Sequence, residues 1–257
     1  MYRFDEKKVT KDLLIWLRNW FEENGKDCNA IIGISGGKDS TVAAALCVEA
    51  LGKDRVYGVM MPNGEQKDIS DSIRVCELLK IKNTTRNIKK IVDAEIESAL
   101  EGVKDFGKTE LSNQTLINIP PRIRMTTLYS ISQSMNGRVI NTCNLSEDWV
   151  GYSTRWGDSV GDVSPLGNLT VEEVRKVGLE LGLPYDLVYK TPADGLCGKT
   201  DEDNLGFTYD ALDKYLRTGI CDKDVKAIID RKHDINKFKL EPIATFEYGK
   251  VLAKVRW

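Results

Sequence analysis

Residues 33–40 read Gly33-Ile34-Ser35-Gly36-Gly37-Lys38-Asp39-Ser40, and this stretch carries most of what the sequence says about fold and function. It ends a short apolar run over residues 30–34, which is typical of a buried strand, and it leads into a helical pattern over residues 40–51. Two adjacent glycines let the backbone turn sharply and approach an anion without an intervening Cβ. The N–H groups of such a turn, with the start of a helix, favour phosphate binding.

The side chains of the stretch suit a nucleotide that arrives with a metal ion. Ser35 and Ser40 offer hydroxyl groups, and Lys38 offers a cation. Asp39 would repel phosphate unless a positive ion lay between them, and Mg²⁺ prefers carboxylate and phosphate oxygens. The spacing fits neither a Walker A loop nor a GxGxxG fingerprint. We therefore predict a phosphate-binding site over residues 33–40, with Asp39 next to Mg²⁺.

Strand and helix patterns alternate outward from this stretch. An apolar run over residues 55–61 ends at Pro62-Asn63-Gly64, a turn signal, and helical periodicity returns over residues 69–79. This alternation predicts an α/β fold with a doubly wound parallel sheet and helices on both faces. Further strands are predicted before residue 87 and over 138–142, and further helices over 9–24, 91–101, 123–135, 170–181, 209–216 and 222–232.

The remaining segments are polar and are predicted as loops. They cover residues 102–114, 144–169 and 191–206, and the last two are long for a compact domain, so we expect them to be functional or mobile. No internal repeat, low-complexity tract or linker divides the chain. A single domain over residues 1–257 is therefore expected.

Composition narrows the class of protein. The 257 residues carry 37 Lys and Arg against 39 Asp and Glu, and this near balance disfavours a protein that coats nucleic acid. No apolar stretch is long enough to span a membrane, and the N-terminus has no signal-peptide pattern, so a cytoplasmic protein is expected. The six cysteines form no CxxC pair, which disfavours a zinc site or a disulfide framework.

The order Ser-Gly-Gly-x-Asp-Ser over residues 35–40 resembles the pyrophosphate loop of the N-type ATP pyrophosphatases, which cleave ATP between its α and β phosphates. Other segments resemble the NAD synthetase family within that superfamily, and the resemblance runs in order from residue 30 to residue 216. It implies a Rossmann-like fold of the adenine nucleotide alpha hydrolase type. The matching segments are residues 121–125 (PRIRM), 141–147 (NTCNLSE), 151–158 (GYSTRWGD), 161–162 (GD), 164–166 (SPL) and 199–206 (KTDEDNLG).

The resemblance implies a role for individual residues. Asp39 and Glu147 match the family's Mg²⁺ ligands, and Thr142 matches an ATP contact, as residues 33–40 do. Four further residues match or lie near positions that bind deamido-NAD, and arginine suits its phosphates and carboxylate because it can form bidentate bonds. These four are Arg122, Arg155, Asp162 and His233.

The implied reaction is the ATP-dependent amidation of deamido-NAD to NAD, through an adenylated carboxylate, with release of AMP and pyrophosphate. Ammonia is the expected donor, because only residues 1–29 precede the first predicted strand and this is too short for a glutaminase domain. The family also implies a homodimer. The helix over residues 123–135 could form its interface or could belong to the core.

Three positions depart from the family pattern. Val171 stands where Lys is common, Ala193 where Thr or Ser is common, and Asp234 where Lys is usual. Lys190 or Lys199 could restore a cation near the phosphates. Two alternatives stay open: a tRNA-modifying enzyme on the same loop, which the near-neutral charge disfavours, and a nucleotide-binding protein that has lost catalysis, which the departures favour.

Overall fold

The computed structural model describes residues 2–66, 68–190, 201–246 and 248. Within these residues the centre of the molecule is one parallel sheet of four strands. The strands are β1 (Asn29–Gly33), β2 (Val56–Met60), β3 (Lys82–Thr85) and β4 (Gly137–Val139). They lie in the order β3-β2-β1-β4, so the chain adds strands on one side of β1 and then crosses to its other side.

This strand order determines where a ligand can bind. Ile31 of β1 pairs with Tyr57 of β2 on one side and with Val139 of β4 on the other. The segments that leave β1 and β4 therefore diverge at the carboxyl ends of neighbouring strands, where open α/β sheets bind ligands. The predicted ATP loop follows β1 and the predicted Mg²⁺ ligand Glu147 follows β4, so the fold brings both to one crevice.

Helices cover both faces of the sheet, which confirms the predicted fold class. α1, α2 and α7 pack together on one face, and α4 packs with α5 on the other. Within the described residues, every helix is too short or too polar to span a membrane. The helices are α1 (Glu6–Asn24), α2 (Lys38–Leu51), α3 (Ile69–Leu79), α4 (Lys89–Asp105), α5 (Asn113–Ser134), α6 (Leu145–Trp149), α7 (Val171–Glu180), α8 (Tyr185–Val188), α9 (Asp201–Leu205), α10 (Tyr209–Thr218) and α11 (Lys223–Asn236).

The apolar run of β1 supplies both halves of the core. Ala30 and Ile32 pack into the cluster around α2, whereas Ile31 packs into the cluster around α5, and all three are fully buried. A strand that is buried on both faces reads as continuous rather than alternating hydrophobicity, as this run does. Its position in the middle of the sheet follows from that pattern.

α5 is longer than predicted. It begins at Asn113, ten residues before the predicted start at residue 123, and it continues through Pro120 and Pro121. Proline removes a helical hydrogen bond, which is why the prediction began after it. Here Ser112 caps the helix by accepting from Thr115 N at 3.1 Å. Ile119, which directly precedes the prolines, is buried in the core, so packing offsets the lost bonds.

The predicted loops contain short helices. α6 lies within residues 144–169, α9 lies within residues 191–206, and α8 was not predicted. Residues 191–200 of the second loop lie outside the described residues. Leu205, Leu212 and Ile229 join Val171 in a third apolar cluster, which attaches the C-terminal helices to the start of α7.

Candidate ATP and metal site

The diglycine bend needs its first glycine. Gly36 has a φ of +80°, a left-handed conformation that L side chains rarely adopt. A Cβ at this position would lie 2.9 Å from Ser72 N and 3.0 Å from Asp71 Cβ. The start of α3 therefore packs directly on the backbone of the bend. Gly37 is ordinary in comparison, with a φ of −84° at the N-cap of α2.

Hydroxyl groups stabilise the bend by hydrogen bonds to its own backbone and to each other. Ser35 Oγ accepts a hydrogen bond from Gly37 N at 3.2 Å and lies 3.0 Å from Ser40 Oγ. The Gly37 carbonyl accepts from Thr41 Oγ1 at 2.8 Å. In the first turn of α2 the N–H groups have no partner within the helix, and they carry the positive end of its dipole. This is the arrangement predicted for binding the phosphates of ATP.

Lys38 and the two predicted metal ligands form one ionic cluster. Lys38 Nζ lies 2.8 Å from Asp39 Oδ2 and 3.4 Å from Glu147 Oε1. The Lys38 side chain is 5% exposed, and each carboxylate is 18% exposed. Burial alone would lower the pKa of Lys38, but the charges of Asp39 and Glu147 outweigh it and raise that pKa above its ordinary value. The two carboxylates predicted from distant segments are thus close enough to share one cation.

These residues fit Mg²⁺. No group of three or more His, Cys, Asp or Glu side chains in the described part of the chain is placed to hold a metal ion. Asp39 and Glu147 are two carboxylates, and Mg²⁺ is commonly bound by one or two carboxylates together with substrate phosphates and water. The donor set therefore matches a metal that binds jointly with a nucleotide.

Asn144 is a site residue that the sequence analysis missed. It is fully buried, its Nδ2 donates to Asp39 Oδ1 at 3.1 Å, and its Oδ1 accepts from Glu147 N at 3.0 Å. One side chain thus fixes Asp39 and caps α6, the helix that carries Glu147. The signal was present, because Asn before Leu-Ser-Glu is a favoured helix N-cap.

A second missed group attaches α6 to the C-terminal helices. Ser146 Oγ donates to Asp213 Oδ1 at 2.5 Å and accepts from Val171 N at 3.2 Å. Asp213 Oδ2 accepts from Glu172 N at 2.9 Å, so Asp213 satisfies the start of α7. Burial raises the pKa of Asp213 above its ordinary value, and the hydrogen bond from Ser146 offsets only part of this rise. Val171, where the resemblance implies Lys, is buried in the third apolar cluster and so belongs to the core.

Thr142 lies half-buried in the segment between β4 and α6, next to a group of backbone-fixing bonds. Asn141 Nδ2 donates to Asp158 O at 2.9 Å, and Asn141 Oδ1 accepts from Cys143 N at 3.0 Å. These bonds hold the segment against the following loop. Thr142 therefore stands at the crevice end of β4, where the resemblance predicts an ATP contact.

Two of the four residues predicted to bind deamido-NAD lie together. Arg122 Nε donates to the backbone carbonyl of Arg155 at 3.3 Å. The Arg155 guanidinium stacks on Trp156 at 4.9 Å and on Phe238 at 5.2 Å from the ring centres. A cavity of about 440 Å³ is lined by Arg155, Trp156, Lys239 and their neighbours. Cations beside an aromatic ring suit an anionic, ring-bearing ligand.

The other two predicted residues have intramolecular contacts of their own. Asp162 accepts from Val139 N at 2.7 Å and from Tyr129 OH at 3.3 Å, so it supports the end of β4. Burial, together with the charge of Asp162, raises the pKa of Tyr129 to about 12. His233 stacks on Trp149 with ring centres 3.9 Å apart, and its Nδ1 lies 2.9 Å from Trp149 O. Whether these residues also bind substrate stays a prediction.

Of the two lysines suggested to restore a cation near the phosphates, only Lys190 lies among the described residues. Its Nζ lies 3.1 Å from Asp68 Oδ2 and also bonds Asp71, whose Cβ is close to the Gly36 bend. This places Lys190 near the predicted phosphate site. Lys199 and Ala193 lie outside the described residues, and Asp234 is exposed on α11.

Comparisons with known proteins show which family the chain resembles. The sequence profile of the NAD synthase family matches residues 9–246. An NH(3)-dependent NAD(+) synthetase of Pyrococcus furiosus is 42% identical over 212 residues, which cover 82% of this chain and 77% of that protein.

Solved structures extend the likeness to the fold. NMN synthetase from Francisella tularensis superposes with a TM-score of 0.86 at 30% identity, over 96% of this chain and 100% of that one. NH3-dependent NAD synthetase from Campylobacter jejuni superposes with a TM-score of 0.76 at 27% identity, over 95% of this chain and 100% of that one. Because the family profile covers most of the chain and a relative is 42% identical over 82% of it, the chain belongs to the NAD synthase family.

Proposed function

We propose that the chain catalyses the ATP-dependent amidation of deamido-NAD with ammonia, giving NAD, AMP and pyrophosphate. The observation that carries the proposal is the placement of Asp39 and Glu147 around one cation position at the start of α2, directly after the Gly36 bend. The names of the sequence relatives support the choice of ammonia and of the dinucleotide.

The reaction has two steps, and neither needs a covalent bond to the enzyme. An oxygen of the substrate carboxylate attacks the α-phosphorus of ATP, the bond to the β-phosphate breaks, and pyrophosphate leaves. Ammonia then attacks the acyl carbon, AMP leaves with the former carboxylate oxygen, and the nitrogen loses a proton. The N–H groups of the first turn of α2 would stabilise the charge that develops on pyrophosphate. Mg²⁺, when bound by Asp39 and Glu147, would neutralise further phosphate charge.

The substrate would bind across the crevice from ATP. Arg122 and Arg155 form the basic part of this site, and Trp156 provides a ring beside the guanidinium of Arg155. Bidentate bonds from arginine suit the phosphates or the carboxylate of deamido-NAD. We also assign Asp162 and His233 to this site, on the family pattern alone. The main contribution of these residues would be positioning, because a well-placed carboxylate reacts far faster than a free one.

We also propose that the chain forms a homodimer. The helix portion over residues 123–135 places Met125 and Leu128 in the core, which supports its reading as a core helix. Apolar side chains are instead exposed near the start of α5, where Ile117 is 53% exposed, and at the end of α4, where Phe106 is 86% exposed. Light scattering of the purified protein measures the subunit number, and a monomer at micromolar concentration would remove this part of the proposal.

Nicotinate mononucleotide is a second candidate substrate. The solved structure with a TM-score of 0.86 is an NMN synthetase, whereas the NAD synthetase of Campylobacter jejuni reaches 0.76. Nicotinate mononucleotide carries the same carboxylate as deamido-NAD and would undergo the same two steps. Measuring kcat/KM for both substrates with saturating ATP and ammonium decides between them. We expect deamido-NAD to be preferred, because the sequence relatives at 36–42% identity are named for NAD.

Isotope transfer tests the chemistry itself. Deamido-NAD labelled with ¹⁸O in its carboxylate should give AMP that carries one ¹⁸O atom, because AMP leaves with a carboxylate oxygen. Mass spectrometry of AMP measures this directly. Unlabelled AMP, or ADP and phosphate as products, would contradict the adenylate. Absence of any AMP would favour a protein that has lost catalysis, and AMP formation that depends on tRNA would favour the tRNA-modifying alternative.

A further inference from the structure

We propose that Lys38 is a resident counter-ion of the metal-binding carboxylates, and that a divalent cation reaches Asp39 and Glu147 only when the Lys38 ammonium leaves them for the phosphates of ATP. This inference rests on the proposed function, since it concerns the same ATP and Mg²⁺ site. It makes Lys38 the residue that couples metal binding to nucleotide binding.

The geometry places the ammonium where a shared cation would lie. Lys38 Nζ is within 2.8 Å of Asp39 Oδ2 and 3.4 Å of Glu147 Oε1, and its side chain is almost fully buried. The two carboxylates come from opposite sides of the crevice, one on α2 and one on α6. A cation between them is therefore already present in the folded chain.

An ammonium in this position and a divalent ion on the same oxygens would compete for them. Mg²⁺ binds carboxylate oxygens at about 2.0–2.1 Å, which would bring it close to Nζ and cause strong repulsion between the two positive charges. Asn144 holds the other oxygen of Asp39, at 3.1 Å, so rotation of this carboxylate away from Lys38 would break a buried hydrogen bond. Metal binding is thus expected to require movement of Lys38.

The phosphates of ATP offer Lys38 a new partner. Lys38 is the first residue of α2, and the first turn of this helix is the predicted phosphate site. Lysine is a compact charge on a flexible stem of four carbons with three N–H donors, so it can turn from a carboxylate to a nearby phosphate without moving its backbone. ATP would then release the carboxylates for the metal and would retain the ammonium as a phosphate contact.

Two binding measurements test the exchange, and neither depends on turnover. Mn²⁺ serves as the probe for the metal and is followed by electron paramagnetic resonance without nucleotide. Lys38→Gln should bind Mn²⁺ at least tenfold more tightly than the wild type, and Lys38→Gln/Glu147→Gln should lose this gain. Metal-free α,β-methylene ATP is the second probe, followed by calorimetry, and Lys38→Gln should bind it at least tenfold more weakly. A residue with a merely structural role would not shift the two affinities in opposite directions.

The outcomes separate this inference from the proposed function. Equal Mn²⁺ affinity in the wild type and in Lys38→Gln, with loss in Glu147→Gln, would overturn the exchange and leave the metal site intact. No Mn²⁺ binding in any variant would overturn both the exchange and the metal assignment, while the ¹⁸O experiment would still report on the reaction. Circular dichroism checks folding, and Lys38→Met, which keeps most of the stem, replaces Lys38→Gln if the latter fails to fold.

Discussion

Asn144 Nδ2 donates to Asp39 Oδ1 at 3.1 Å, and this bond joins the segment after β4 to the segment after β1. The two residues are separated by 105 positions in the chain and meet because β1 and β4 are neighbours in the sheet. Asn144 also caps α6 through its Oδ1, so one buried amide sets the spacing between Asp39 and Glu147. The geometry of the predicted metal site therefore depends on a residue that is not itself a predicted ligand.

Asn144→Ala should lower both stability and rate. Loss of the cap and of a buried hydrogen bond is expected to cost about 1–2 kcal/mol of unfolding free energy. Misplacement of Asp39 should reduce kcat/KM by about 10²-fold. Asn144→Asp is the matched control: it retains the cap acceptor but places a second carboxylate against Asp39. Chemical denaturation and AMP formation measure the two effects, and an Asn144→Asp enzyme with normal activity would contradict the role given to this bond.

Gly36→Ala separates backbone strain from steric contact when it is compared with Gly52→Ala. Both glycines have a similar φ, +80° and +84°, and they lie at opposite ends of α2. A Cβ at Gly52 meets nothing within 4 Å, whereas a Cβ at Gly36 meets Ser72 N at 2.9 Å. Gly52, with φ +84° and ψ 145°, also has a backbone conformation that favours glycine, so Gly52→Ala should cost a conformational penalty of about 1–3 kcal/mol but should leave ATP binding intact.

Gly36→Ala should cost more than this, and it should weaken ATP binding because the bend must move away from α3. Calorimetric titration with ATP and thermal unfolding measure both quantities. If the two variants bind ATP equally well, the bend is not the phosphate site.

Glu173 and Arg217 should stabilise the fold in a pH-dependent way. Arg217 Nε lies 2.8 Å from Glu173 Oε1, and Tyr2 OH bonds the same carboxylate. Burial alone would raise the pKa of Glu173, but the bonds from Arg217 and Tyr2 outweigh it and hold that pKa below its ordinary value. A lowered carboxylate pKa adds stability that is present above the ordinary pKa of about 4.3 and is lost as the pH falls further.

Glu173→Gln should therefore destabilise the protein by about 3 kcal/mol at pH 7, since it breaks a largely buried ion pair. The difference from the wild type should stay constant between about pH 6 and pH 8 and should shrink below about pH 4. Urea denaturation across this range gives the difference directly. A difference that grows as the pH falls would mean that the sign of the pKa shift is wrong.

Arg155→Met should impair binding of deamido-NAD more than binding of ATP. The Met side chain keeps apolar contact with Trp156 and Phe238 but removes the charge that faces the cavity. Loss of a charge-assisted contact to substrate is expected to raise its KM by about tenfold or more. Arg231→Met, at an exposed position on α11, is the matched control. An increase confined to the KM of ATP would contradict this prediction and would assign Arg155 to ATP binding instead.

Periodicity and turn residues predicted the half of the fold that holds the ATP loop. The prediction for α3 matches Ile69–Leu79 at both ends, and β2 ends one residue before its prediction, ahead of Pro62. The predicted start of α5 was wrong because prolines at 120 and 121 favour a helix boundary. The helix continues through them because Ile119 packs in the core, and the local sequence does not show this contact.

Short helices were missed for a different reason. α6 and α9 have five residues each and α8 has four, which is too few to show a helical period. They take their stability from tertiary contacts, such as the bond between Ser146 and Asp213, 67 residues apart. No local pattern predicts a partner at that distance.

The residues of the candidate site also differ in how far the sequence could predict them. The bend and Asp39 were predicted from residue chemistry, and Glu147 needed the family resemblance, because a lone Glu carries no local signal. The ionic contact of Lys38 with Glu147 could not be predicted at all, since it joins residues 109 positions apart. Asn144 is the intermediate case: its capping role has a local signal, but its bond to Asp39 does not.

Exchange of labelled pyrophosphate into ATP tests the central claim most directly, namely that the Gly36 bend and Asp39 hold the pyrophosphate end of ATP while the substrate carboxylate is adenylated. The measurement uses deamido-NAD without ammonium, so that only the first step can run in both directions. We expect rapid exchange in the wild type, none without deamido-NAD, and a loss of about 10³-fold or more in Asp39→Ala. Undiminished exchange in Asp39→Ala, or exchange that does not need deamido-NAD, would contradict the account.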